Sequence, residues 1–180
     1  MTYDIDGAIR RIPHHPKPGI LFYDLMPLFE DPAGLDACVV SIADWARPRD
    51  IDVVLGAEAR GFILGAAIAR ELGAGFACAR KPGKLPYATI RREYDLEYGT
   101  DVLEIHRDAI LPGQRVLVHD DLLATGGTAA AKCDLVEELG GIVAGLAFVV
   151  ELTFLPGRDK LAGRDILSLV QYDSEDVAGD

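Results

Sequence analysis

Apolar and polar positions along this chain alternate between short β-like runs and longer stretches of helical period. Ile51–Leu55 is an apolar run of strand length, Gly61–Leu72 reads as a helix bracketed by glycines, and Gly75–Ala79 as a second short strand. Val116–Val118, entered through the turn signal Pro112-Gly113, predicts a third strand, and Thr128–Leu139 a helix closed by Gly140-Gly141. Ile142–Val150 reads as a buried strand and Ile166–Val170 as a final one. This alternation implies an α/β fold, a parallel sheet with helices on both faces, whose ligands gather at the carboxyl ends of the strands. Residues 1–35, rich in proline and without a regular period, read as an irregular hood. No internal repeat or low-complexity linker divides residues 1–180, so a single domain is expected. The tail Asp173–Asp180 reads as solvated and mobile.

The stretch from Val116 to Thr128 carries the most chemistry. Its apolar strand is followed by the adjacent acids Asp120 and Asp121, then by the small-residue loop Ala124-Thr125-Gly126-Gly127-Thr128, which opens into a helix. A strand, a glycine turn and a helix start bring free backbone N–H groups to one point, with the positive helix end behind them, and that arrangement receives a phosphate. Gly126 and Gly127 let the backbone approach, and Thr125 and Thr128 add hydroxyl donors. The acids would repel a phosphate, so they are expected to accept hydrogen bonds from sugar hydroxyls beside it. The ligand predicted is a sugar phosphate. Neither a Walker loop nor a dinucleotide fingerprint is present, because Gly83-Lys84 is followed by Leu85 and no G-x-G-x-x-G follows a strand.

Composition narrows the class further. The net charge of −11 argues against nucleic acid as the main partner, and it requires any cationic site for an anion to be concentrated locally. Arg60, in the turn Gly56-Ala57-Glu58-Ala59-Arg60-Gly61, falls near a helix N-terminus, where its charge opposes the local dipole and favours an anion between them. Arg80, Lys81 and Lys84 form a second cationic segment, stiffened by Pro82 and Pro86. Cys38, Cys78 and Cys133 lack metal-ligand spacing and read as reduced, as in a cytoplasmic protein. No stretch approaches a membrane span, and the amino terminus has no signal-peptide pattern. The four histidines, His14, His15, His106 and His119, show no metal-site spacing, so no protein-held metal is expected. Residues 87–105 form a long polar connection, read either as a lid over the site or as an exposed hairpin.

Asp120-Asp121-x-x-x-Thr-Gly-Gly-Thr resembles the phosphoribosyl-diphosphate (PRPP) motif of type I phosphoribosyltransferases. Ile12-Pro13 with Pro16–Phe22 and Asp24 is similar to the base-binding segment of the adenine phosphoribosyltransferase family. Glu58–Phe62 and Arg80–Pro86 resemble that family's two diphosphate-contacting segments, and Leu96–Gly99 with Leu103–Ile105 its mobile catalytic loop. The motifs stand in the family's order, and the resemblance runs from about residue 8 to residue 172.

The resemblance implies a purine salvage enzyme that transfers the phosphoribosyl group of PRPP to adenine, giving AMP and diphosphate. The same chemistry on hypoxanthine or guanine, and a non-catalytic PRPP sensor on the same fold, are the alternatives. It implies Glu97, Tyr98 and Arg60 as catalytic residues, and Ala124, Thr125, Gly126, Gly127 and Thr128 around the 5′-phosphate. Asp120 and Asp121 would hold the ribose, and Arg60, Arg80, Lys81 and Lys84 the diphosphate. Leu21, Phe22, Tyr23 and Leu122 would hold the base, Phe22 and Leu122 as its two faces. Tyr23 stands where the family usually carries a basic side chain, and His119 where it carries an aliphatic one. Mg²⁺ is implied as a cofactor carried by the diphosphate, and a homodimer is implied as the assembly.

Overall fold

The structure, a computed structural model, describes residues 3–95 and 99–174. A hairpin of β1 (Arg10–Pro13) and β2 (Leu21–Asp24) opens the chain, followed by helices α1 (Met26–Glu30) and α2 (Pro32–Ala46). Then come β3 (Val53–Ala57), α3 (Arg60–Leu72), β4 (Gly75–Ala79) and a second hairpin of β5 (Thr89–Asp95) and β6 (Thr100–His106). The chain continues through β7 (Arg115–Leu123), α4 (Gly127–Glu138), β8 (Ile142–Leu152) and β9 (Ile166–Tyr172). β4, β3, β7, β8 and β9 lie in that order in one parallel sheet, as the alternation of strands and helices predicts.

Strand alternation divides the core between the two faces of this sheet. Val116 and Val118 of β7 face one side with Leu146 and Phe148 of β8, against the buried α4 residues Ala129, Cys133 and Val136. Leu117, Ala147 and Val149 face the other side, against Leu64 and Ile68 of α3 and Cys38 and Ile42 of α2. The outermost layer on the α4 side is the β5–β6 hairpin, whose Ile90, Leu103 and Ile105 are buried in the same cluster. The described part of 87–105 is therefore a pair of antiparallel strands with an apolar inner face. It is tied to the end of β4 by reciprocal backbone hydrogen bonds between Arg80 and Glu104, at 2.9 and 2.8 Å.

The amino-terminal third differs most from what its sequence suggests. The hood contains a regular hairpin, and it is followed by α2, a helix that the irregular pattern of this region conceals. Its signals are nonetheless in the chain: Pro32 stands at the first helical position, and the Asp31 carboxylate accepts the Ala33 N–H at 3.0 Å. Leu35, Cys38, Val39, Ile42 and Ala46 then recur at helical spacing. β7 also runs five residues beyond Val118, so the acid pair lies within a strand.

The turn from β3 into α3 is a tight approach behind the site. A Cβ on Gly56 would stand 2.6 Å from the Gly61 carbonyl oxygen and 3.1 Å from the Phe76 ring. Backbone cannot yield there as a flexible side chain would. Gly56→Ala is expected to lower the unfolding free energy by about 1–3 kcal/mol, measured by urea denaturation.

Candidate active site

Pairing decides where the sheet opens. β3 and β7 pair from Val53↔Val116 as far as Gly56↔His119, while β7 and β8 stay paired to Leu123↔Glu151. Beyond His119, the β3 side of β7 is thus free, at the point where the connections turn from β3→β4 on one side to β7→β8→β9 on the other. Open α/β sheets bind ligands at this switch in strand order. A cleft of about 280 Å³ occupies it, bringing together Arg60, Lys81, Asp120, Asp121, Leu122 and the loop Ala124–Thr128. Glu58, Tyr94, Leu103 and Phe148 also line it.

The phosphate loop has the geometry that an anion needs. Gly126 takes φ +78° and precedes the first turn of α4, whose first helical hydrogen bond runs from the Ala130 N–H to the Gly126 carbonyl at 2.9 Å. The N–H groups before Ala130 have no partner within the helix and face the cleft end. A side chain at Gly126 would meet the Gly157 carbonyl at 2.5 Å, so the loop is shaped by a second backbone packed against it. Gly127, expected to be small for the sake of the phosphate, is helical, and a Cβ there would meet the Asp95 carbonyl of β5 at 2.6 Å. The β5 backbone by itself limits the size of this residue.

The acid pair is held asymmetrically. Asp120 accepts the Lys132 ammonium at 2.8 Å on Oδ2 and the Asp121 backbone N–H at 3.1 Å on Oδ1. Asp121, 5% exposed, has Arg60 Nε at 2.9 Å from Oδ2 without hydrogen-bond alignment, so that buried oxygen keeps its acceptor capacity. Burial first, and the Asp120 charge second, push its carboxyl up to about 6 against the opposing pull of Arg60. His119 faces the core, fully buried, with Nδ1 2.9 Å from the Ala147 carbonyl oxygen, and burial lowers it to about 4, so it is neutral at pH 7.

Glu58 organises the cationic segment. Its carboxylate accepts the Lys81 backbone N–H, Arg80 Nη2 at 3.2 Å and Lys84 Nζ at 3.3 Å. Burial works to raise its carboxyl, yet these donors outweigh it and the net shift is downward. The Lys81 ammonium contacts the Asp101 carboxylate of β6, which also accepts the Tyr94 hydroxyl at 3.3 Å. Arg80 and Lys84 lie on the Glu58 side, outside the lining of the cleft. Glu97 and Tyr98 lie outside the described residues.

The base-binding candidates separate. Phe22 lies beside the cleft, its ring centre 5.8 Å from the Arg60 guanidinium, and Leu122 lines the cleft. Leu21 is half-buried and packs against the core. Tyr23 is 6% exposed and stacks on Tyr172 at 4.1 Å. Neighbouring residues of a strand project to opposite faces, and the Tyr23 ring packs on the side away from the Phe22 ring. The Tyr23 ring is thus packed within the core, where the sequence expects a residue at the base edge.

Lys132, Asp101 and Tyr94 join the site without a motif of their own to mark them, and Glu58 joins it from the segment Glu58–Phe62. The legible signal for Lys132 is a charged residue on the buried helical face of Ala129, Leu135 and Val136. Among the described residues, no group of three His, Cys, Asp or Glu side chains gathers as a metal site.

The model of the phosphoribosyl transferase domain family matches residues 37–165. The adenine phosphoribosyltransferase of Solibacter usitatus is 56% identical over 170 residues, covering 94% of this chain and 98% of that relative. The crystal structure of adenine phosphoribosyltransferase from Thermoanaerobacter pseudethanolicus superposes with a TM-score of 0.90 at 52% identity, over 93% of this chain and 98% of that one. The Saccharomyces cerevisiae enzyme, crystallised with an imino-altritol bisphosphate and adenine, gives a TM-score of 0.88 at 38% identity, over 92% and 96% of the two chains. A strand-end acid pair, a glycine-capped helix start and near-full-length similarity agree, and the chain belongs to the adenine phosphoribosyltransferase family of phosphoribosyl transferase domains.

Proposed function

We propose that this chain transfers the 5-phosphoribosyl group of PRPP to adenine, giving AMP and diphosphate. The observation that carries the reading is the convergence, in one cleft, of a helix start, a carboxylate pair and the cations Arg60 and Lys81. PRPP carries a 5′-phosphate, a ribose diol and a 1′-diphosphate, one for each of these receptors. The choice of adenine is supported by the names of the relatives and by the adenine with which the yeast enzyme was crystallised.

The amides of Ala124–Thr128 receive the 5′-phosphate and Asp120 and Asp121 the diol. Arg60 and Lys81 of the cleft neutralise the diphosphate, and Arg80 and Lys84, paired with Glu58 outside its lining, would turn to join them. Mg²⁺ enters as part of the substrate, held by diphosphate oxygens and water. As the C1′–diphosphate bond lengthens, positive charge develops on the ribose, and the two carboxylates beneath it stabilise that charge. The base nitrogen attacks the face opposite the departing diphosphate, with Phe22 and Leu122 as the walls that hold the ring. Leaving-group neutralisation and positioning supply the acceleration, and no side-chain nucleophile is needed. Glu97 and Tyr98, between β5 and β6 in the chain, are assigned the closing and proton-handling roles on the family resemblance. A homodimer is inferred from the same resemblance, which sedimentation tests, and a cytoplasmic location from the three free cysteines.

Turnover is to be measured with PRPP, Mg²⁺ and adenine, hypoxanthine or guanine separately. AMP formation that exceeds both other products supports the reading, and binding of PRPP without turnover on any base contradicts it. Lys84→Ala is expected to weaken PRPP about 10- to 100-fold while AMP, which lacks the 1′-diphosphate, changes little, because a charge-assisted phosphate contact contributes about 1.5–3 kcal/mol. Calorimetry with both ligands checks this.

Asp121→Asn separates binding from stability. A carboxyl raised in the folded state contributes stability that is present below its unfolded value, near 3.8, and lost as pH rises through about 6. The neutral variant should therefore match the parent below about pH 4. At pH 7.5 it should exceed the parent by about 1–3 kcal/mol in denaturant unfolding while binding AMP more weakly. A variant less stable than the parent at pH 7.5 would contradict the burial argument.

A further inference from the structure

Lys132 is fully buried, although it carries an ammonium group. Its Nζ donates to Asp120 Oδ2 at 2.8 Å and to the His119 carbonyl at 2.7 Å. The two acceptors straddle the point where β7 loses β3: His119 is the last residue paired with it and Asp120 the first beyond. Lys132 itself belongs to α4, five residues beyond Gly127, about 7.5 Å along the axis from the helix start that faces the cleft.

We propose that Lys132 is the positioning residue of the ribose site: its buried ammonium fixes the Asp120 carboxylate in one orientation and ties it to the helix that holds the 5′-phosphate. The inference rests on the assignment of the acid pair to the ribose hydroxyls.

Three features of the geometry support it. First, each oxygen of Asp120 is engaged once, Oδ2 by Lys132 and Oδ1 by the Asp121 N–H. A carboxylate oxygen has two lone pairs, so each keeps one acceptor site for a hydroxyl while rotation of the group is blocked. Second, two carboxylates stand side by side at the end of one strand with little solvent. The ammonium beneath Asp120 offsets the repulsion that would otherwise splay the pair or leave it protonated. Third, Lys132 bonds to the strand backbone as well as to the side chain. The end of β7 and the first turns of α4 are thereby held at one separation, and this separation is the distance between the diol and phosphate receptors. An apolar side chain would fill the same space with less desolvation cost, since buried ion pairs often stabilise no better than hydrophobic isosteres. Placement of the carboxylate is what the ammonium adds.

The test uses AMP and 2′,3′-dideoxy-AMP, which share phosphate and base and differ only in the diol. Both affinities are measured by calorimetry on the full chain and on Lys132→Met, which keeps the length of the side chain. The parent should prefer AMP, and a parent without any preference removes the ribose assignment on which the inference rests. In Lys132→Met the preference should fall about tenfold or more, with dideoxy-AMP bound about as before. A preference retained within about twofold, or parallel losses for both ligands, overturns the positioning role and leaves Lys132 as packing. If the single variant does not fold, Lys132→Met/Asp120→Asn leaves no unpaired charge in the core and is compared with Asp120→Asn. Equal preferences in these two are expected, because Lys132 acts through Asp120, and a further loss in the double variant overturns the proposal.

Discussion

The site exists because one strand outlasts its neighbour. β7 loses β3 after His119 but keeps β8 to Leu123, so four further residues extend along a sheet that is closed on one side only. Backbone on the open side has lost its ladder partner and faces the cleft, while the paired side holds it straight. Asp120 and Asp121 occupy this stretch, and the chain then turns through Gly126 into α4 without leaving the cleft. Had β3 run two residues further, its backbone would fill the space in which the ligand is proposed to lie. Gly56 at the last shared register, crowded by the Gly61 carbonyl, marks where α3 turns away and leaves that space.

An acidic chain that binds anions must assemble its positive charge locally, and it does so by pairing. Glu58 gathers Arg80 and Lys84, Asp101 meets Lys81, and Asp121 stands against Arg60. The pairs keep cations oriented beside the cleft at little electrostatic cost while they await a stronger anion. Arg60 and Lys81 are both about 41% exposed, open enough for a diphosphate to displace a carboxylate partner. The hairpin takes part in this exchange through Asp101 and Tyr94, so occupation of Lys81 by a ligand would remove one of its ties to the β4 end of the cleft.

The parts of this arrangement that follow from local chemistry are legible in the sequence. Strand and helix alternation from Ile51 onward points to the parallel sheet, with both ends of β4 matched and most other ends within two or three residues. The family of the chain can be read from the acid pair and the Thr-Gly-Gly-Thr loop. What escapes is decided at a distance. Tyr23 reads as a polar residue in a base-binding segment, and only the folded chain shows its ring stacked on Tyr172, remote in sequence. Gly127 looks like a phosphate glycine until β5 is folded over it. α2 is missed although its cap and period are local, because its first turn falls in the proline-rich hood of residues 1–35 and no element is read between there and Ile51. Lys132 looks like an ordinary helix residue until the strand that it supports is in place.

Two buried acids at neighbouring strand ends show the difference between an acid that supports the fold and one left ready for a ligand. Glu151, 2% exposed at the end of β8, accepts Arg158 Nη2 at 2.8 Å, Ser168 Oγ at 2.6 Å and Gln171 Nε2 at 3.1 Å, together with Arg158 Nε. Burial alone would raise its carboxyl, but these donors carry it downward, and it stays ionised as a fixed anchor. What it anchors is the connection that brings Gly157 against the phosphate loop, where a Cβ on Gly157 would stand 2.3 Å from the Ala124 carbonyl. Asp121, across the β7–β8 ladder, is nearly as buried and has none of this saturation; its carboxyl is raised and one oxygen has no donor. The fold satisfies the acid that shapes the loop and leaves unsatisfied the acid that faces the cleft. Stability forgone at Asp121 is recovered when hydroxyl donors arrive, so binding energy is concentrated where the sugar is proposed to lie.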